Sequence, residues 1–69
     1  MKNLPDVELV AAQVHEHWLQ TKRSLGVFSR KSETGEEMMV PYDQLSEECK
    51  ELDRNTVRTV YSVLEQLKM

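Results

Sequence analysis

The stretch VPYDQLSEECKELDRNT, residues 40–56, decides how this chain folds. Pro41 has no N–H to offer a sheet and biases Val40 toward an extended conformation, so any strand arriving from the N-terminal side ends there. Ser46 stands before Glu47 and Glu48. A serine hydroxyl caps the free N–H groups at the start of a helix, and the two acids meet the positive end of its dipole. A short helix is expected from there to about Leu52. Asp53 then reads as the N-cap of a last helix, accepting from the N–H of Asn55 or Thr56, with Val57, Val60, Tyr61, Leu64 and Leu67 as its apolar stripe.

Toward the N-terminus, Val7, Val10, Ala11, Val14, Trp18 and Leu25 fall at helical spacing. They predict a first helix from residue 5 or 6 to about 24, with Asp6 adding a favourable charge to its first turn and Gly26 free to end it in the left-handed conformation. Between Gly26 and Pro41, the arms Val27-Phe28-Ser29-Arg30 and Glu37-Met38-Met39-Val40 flank the polar tract Lys31-Ser32-Glu33-Thr34-Gly35-Glu36. This pattern predicts an irregular β-hairpin that persists only by packing on helices. The expected fold is mainly α, a small α+β unit: two longer packed helices with a short helix and an irregular β-hairpin closing one side.

The chain has 69 residues and reads as one domain, 1–69. At this size only about 60% of the unfolded surface is buried, so stability is marginal and self-association is the expected supplement. Adjacent Met38 and Met39 on one extended arm cannot both face inward, which makes the hairpin a candidate association patch. The single cysteine, Cys49, permits no internal disulfide and belongs to no zinc-type spacing. The longest apolar run, residues 9–12, is too short for a signal or membrane segment. A soluble protein of the reducing cytoplasm is expected.

Nine basic and twelve acidic residues are intermixed and give a net charge of −3. No broad basic face is available to neutralise phosphates, so DNA and RNA are not expected partners. A small anionic ligand needs only one or two placed cations and remains open. Catalysis is not expected. His15 and His17 point about 200° apart on a helix and cannot chelate one ion, and Glu8 and Glu16 are scattered on its solvated side. Glu47 and Glu48 disfavour a Cys49 thiolate, and the chain has only Gly26 and Gly35, too few for a phosphate loop. No metal or cofactor is expected.

Val14-His15-Glu16-His17-Trp18, then Lys22 and Gly26, followed by residues 40–56, together resemble the RyR domain, the repeat of ryanodine receptor channels also found in small prokaryotic and viral proteins. The family pattern runs V-H-x-x-W, a cation, a glycine, a variable loop, then V-P-Y-x-x-L-x-E-x-x-K-x-x-D-R-x-T. The resemblance spans about residues 10–67. One position departs: Val27 stands where the family usually has an aromatic, and Phe28 follows it. The resemblance implies a small, non-catalytic binding module, a homo-oligomer that holds or sequesters a nucleotide-derived signal, as an anti-defence sponge would.

The residues to which the resemblance assigns ligand contact are His15, Trp18, Lys22, Tyr42 and Arg54. Each also has a structural reading, and for most of them that reading weighs more. Trp18 lies on the apolar stripe, where the reading as a core anchor outweighs ligand contact. His15, one turn before it, serves as a hydrogen-bonded boundary residue. Tyr42 either stacks on a planar ligand or locks the turn after Pro41. Arg54 pairs with an acid such as Asp43 or Glu51, or contacts an anion. From a different class comes the alternative of a protein-interaction module with no small-molecule ligand. A concave pocket with converging polar groups around His15, Trp18 and Tyr42 favours the first reading, and a flat apolar patch favours the second.

Overall fold

The computed structural model describes residues 4–68 and contains two long α-helices, α1 (Val7–Ser24) and α2 (Glu47–Leu67), with a 3₁₀ turn at Tyr42–Gln44 between them. Helix α1 starts and stops as its sequence predicts. Asp6 is its N-cap, accepting from the N–H of Glu8 at 3.1 Å. Gly26, at φ +80°, closes it: the Gly26 N–H donates to Arg23 O at 3.0 Å and the Val27 N–H to Lys22 O at 2.9 Å. These two reverse bonds satisfy carbonyls that the helix leaves free.

Two expectations need correction. The short helix ending near Leu52 and the last helix capped by Asp53 are one continuous helix, α2, capped by Ser46, whose Oγ accepts from Cys49 N at 3.2 Å. Neither glycine nor proline interrupts residues 47–67, so nothing stops the helix at residue 52. Asp53 is an interior helical residue whose side chain is free to do something else.

The β-hairpin is also absent: the described residues contain no strand, only a single antiparallel bridge between Lys31 and Glu37. What holds the 26–41 segment instead is a carboxylate. Glu37 accepts from Ser29 Oγ at 2.5 Å, Arg30 N at 2.7 Å and Met39 N at 3.0 Å, joining both arms of the loop. These bonds, the Ser29 hydroxyl first, hold its pKa near 2 against an ordinary 4.5. Its neighbour Glu36 ties the same loop to α2, accepting from Ser46 N at 2.8 Å and Ser46 Oγ at 2.6 Å.

The helices run antiparallel, Arg54 meeting Glu8 and the Tyr61 hydroxyl donating to Pro5 O at 3.0 Å. Ala11 is fully buried where they face each other, and a side chain that small allows close approach. Tyr42, Leu45, Cys49 and Val57 complete this core, and Leu19 is buried nearer the far end of α1. The turns of α2 after Tyr61 extend past the start of α1, which leaves Val63, Leu64 and Leu67 exposed, and Val60 just before them is exposed as well. Of the α2 stripe read from the sequence, Val57 is buried and Tyr61 partly buried, while Val60, Leu64 and Leu67 are exposed. Leu25 and Val14, read as stripe residues of α1, are exposed too. No helix is long and apolar enough to cross a membrane among the described residues.

Candidate functional site

His15 is the centre of the polar constellation. It is only 4% exposed, and its Nε2 lies 2.7 Å from the carbonyl oxygen of Val40. A carbonyl can only accept, so Nε2 carries the hydrogen. This bond pins the residue before Pro41 to α1 and sets the entry of the 3₁₀ turn. The other nitrogen, Nδ1, stands 3.5 Å from Asp53 Oδ2 on α2. A neutral ring presents an acceptor lone pair there, and only a cationic ring donates to the carboxylate. Burial raises the Asp53 carboxyl pKa, partly offset by the imidazole.

Two aromatic rings flank the imidazole. Trp18, one turn on along α1, stacks on it with centroids 5.4 Å apart and planes at 27°, while Tyr42 tilts against it at 6.1 Å and 55°. Tyr42 is buried, with Lys50 Nζ 5.6 Å from its ring centroid. Its hydroxyl is enclosed with no partner at ordinary hydrogen-bond geometry among the described residues, and burial foremost, then its interaction with the Glu8 carboxylate, pushes its pKa up. Trp18 is only partly buried, and its ring forms a wall of a cleft.

That cleft, about 220 Å³, is lined by His15, Trp18, Cys49 and Asp53 together with apolar Val14, Met38 and Leu52. A second cleft of about 500 Å³ is edged by Arg30, Lys31, Ser32 and Thr34, with Glu33 and Glu48 also present. Met38, Cys49 and Leu52 border both, so the two adjoin as a groove bounded by the loop, α2 and, at the smaller cleft, α1.

Of the five candidates, the fold brings His15, Trp18 and Tyr42 into one cluster, with Tyr42 as its floor. Arg54 is elsewhere engaged. Its side chain, 17% exposed, meets Glu8 at 2.5 Å, Glu47 at 3.2 Å and Glu51 at 3.4 Å, and these acids raise its pKa further. Glu51 was an expected partner; Glu8 and Glu47 were not, and Asp43 makes no such pair. Lys22, one turn past Trp18, is partly buried and carries no acid partner among the described residues, and neither does the Arg30 guanidinium.

Cys49 shares the cleft with His15 and Asp53 without forming a nucleophilic relay. His15 Nε2 is bound to Val40, and the Cys49 thiol donates to Glu36 at 3.2 Å. Burial foremost pushes the thiol pKa up, away from the reactive thiolate. Among the described residues no group of three or more His, Cys, Asp or Glu side chains could hold a metal ion.

Asp53, Glu36 and Glu37 carry roles that the residue pattern concealed. Asp53 follows an Asp-x-x-Thr signature typical of a cap, and Glu36 and Glu37 sit in a polar tract that normally means a solvated loop. For Asp53 a signal did exist: Cys49, Asp53 and Val57 are four apart, a spacing that carries one helix face straight through the supposed boundary.

With this geometry in place, comparison with known families gives a match: the model of the RyR domain matches residues 2–69. No curated protein and no solved structure matches the chain.

Proposed function

Since the chain belongs to the RyR domain family, we propose that it is a non-catalytic module that binds a nucleotide-derived small molecule in the groove between the loop and α2. The observation that carries this reading is the adjacency of the two clefts along Met38, Cys49 and Leu52. A partly exposed tryptophan stacked on a fixed imidazole stands at one end, and Arg30 and Lys31 stand at the other. Bases stack on aromatic faces, and phosphates seek unpaired cations. In this reading Trp18 is the platform, and His15 holds it in place. Arg30, whose guanidinium has no acid partner among the described residues, meets the phosphate together with Lys31, which also pairs with Glu37 at 3.5 Å, while Lys22 adds a further cation one turn past Trp18. Tyr42 and Arg54 support the site without touching the ligand, because one is buried and the other is satisfied by acids.

Trp18 is the only tryptophan, so its emission reports directly on the site. Titration with a panel of mononucleotides and cyclic nucleotides is expected to change Trp18 fluorescence and raise Tm. A ligand at 100 times its Kd adds about 2.7 kcal/mol to the folded state. Unchanged emission and Tm at millimolar nucleotide would refute the proposal.

The second reading, a protein-interaction module, draws on a separate observation: the uncovered stripe Val60, Val63, Leu64 and Leu67. An apolar helix face of this kind fits a second copy of the chain, and self-association is compatible with ligand binding at the groove.

A further inference from the structure

Asp53 is a half-buried carboxylate with an unfinished hydrogen-bond shell. Its side chain is 26% exposed and lines the cleft beside Trp18, and among the described residues its one polar partner is His15, at 3.5 Å. When the imidazole is neutral, Nδ1 offers a lone pair and no hydrogen, so the carboxylate depends on donors arriving from the cleft. Of the other cleft residues, Val14, Met38 and Leu52 are apolar, and the Cys49 thiol is turned to Glu36 at 3.2 Å, so none of these supplies a donor to Asp53. The cleft therefore combines a flat aromatic platform with a two-oxygen acceptor beside it, and at about 220 Å³ it has room for a purine ring.

We propose that Asp53 is a specificity-determining residue that selects a nucleotide whose base presents two adjacent N–H donors, a guanine-type edge, while the ring lies on Trp18. This rests on the nucleotide reading above and adds the identity of the base. Guanine offers N1–H and the N2 amino group side by side, matching both oxygens of one carboxylate. Hypoxanthine offers N1–H alone. Adenine places an acceptor next to its amino group, and that lone pair faces the carboxylate unfavourably. Stacking tolerates every base, so discrimination falls to the edge contact. A site with a buried acceptor rejects analogues that leave it unpaired.

The test is calorimetric titration of the 69-residue chain with the 5′-monophosphates of guanosine, inosine, adenosine and xanthosine, followed by the same series on Asp53→Asn. The wild type is expected to bind GMP more tightly than AMP by roughly tenfold to a hundredfold, with IMP between them, as suits loss of hydrogen bonds to a charged group. Asp53→Asn replaces one acceptor with a donor and is expected to lose the GMP preference and gain affinity for XMP, whose C2 carbonyl accepts. A structural role for Asp53 predicts equal weakening toward all four, and that result would overturn the assignment. Equal wild-type affinity for GMP and AMP would overturn it too while leaving the nucleotide reading intact, and it needs no variant to fold. Absence of binding by every nucleotide would remove both.

Discussion

Arg54 on α2 lies 2.5 Å from the carboxylate of Glu8 on α1, and the same guanidinium reaches Glu47 and Glu51. A single cation thus joins the first turn of α1 to the first turns of α2, near the buried Tyr42 hydroxyl. Its planar fork suits this many-sided pairing in a way that a lysine ammonium does not. Its three acid partners give the family-pattern arginine a structural role in docking the helices.

Arg54→Ala is accordingly expected to lower Tm and leave the affinity for any groove-bound nucleotide unchanged, and Arg54→Lys is expected to recover only part of the loss. Thermal denaturation paired with nucleotide titration of each variant checks this. Weakened binding at unchanged Tm would return Arg54 to the ligand site.

The loop gives an acid-sensitivity prediction with a definite sign. Glu37 has its pKa held near 2, below the ordinary 4.5, so the stability it contributes is fully present above about pH 4.5 and is lost as the pH falls through about 2. Glu8, Glu36 and Glu51 are lowered as well and act in the same direction. Asp53 acts in the opposite sense, since burial raises its pKa and its protonation relieves an unfavourable charge. Circular dichroism melts from pH 7 to pH 2 are expected to show Tm falling below about pH 4.5. Glu37→Gln is expected to start lower at pH 7 and fall less steeply; a wild-type slope retained in Glu37→Gln would remove Glu37 from the account.

The outline of this fold was legible wherever one residue set a local rule. Asp6, Gly26 and the apolar spacing gave α1 its limits, and Ser46 marked the start of α2. The errors arose where a side chain took the role usually filled by backbone. Glu37 gathers Ser29, Arg30 and Met39 around one carboxylate, a contact set by tertiary geometry, and the residue pattern around it shows only alternation and a glycine. Asp53 looked like a cap because caps are local, and its partner His15 lies on the other helix. The cluster of His15, Trp18 and Tyr42 was visible in the motif. The acid that completes the cleft was not.

Leu19 and Trp18 are adjacent in sequence and differ in what they hold up. Leu19 is 1% exposed, so Leu19→Ala is expected to cost about 2–5 kcal/mol, most of what so small a domain has. Trp18 is only partly buried, so Trp18→Ala is expected to cost less than Leu19→Ala while abolishing nucleotide binding. Urea titrations rank the two. A Trp18→Ala protein less stable than Leu19→Ala would make Trp18 a core anchor first.

The last prediction concerns the far end of α2. Val60, Val63, Leu64 and Leu67 lie at spacings of three and four, the arrangement of a helix that packs along one face. Leu64 is 40% and Leu67 76% exposed, so in the isolated chain this face meets water. From Thr59 to Leu67 the only charged residue is Glu65, which leaves little repulsion between two copies laid side by side. Self-association at micromolar concentration is expected through this stripe, in place of the Met38 and Met39 patch, whose residues are half-buried, Met38 against the core. Leu64→Lys with Leu67→Lys is expected to give a monomer with nearly unaltered folding. Exposed substitutions usually change stability by about 0.5 kcal/mol or less, and cations near a helix C-terminus are favourable. Sedimentation equilibrium of both proteins decides the matter. A wild type that stays monomeric across the micromolar range would dismiss the stripe as an interface, and a variant that still associates would move the interface elsewhere.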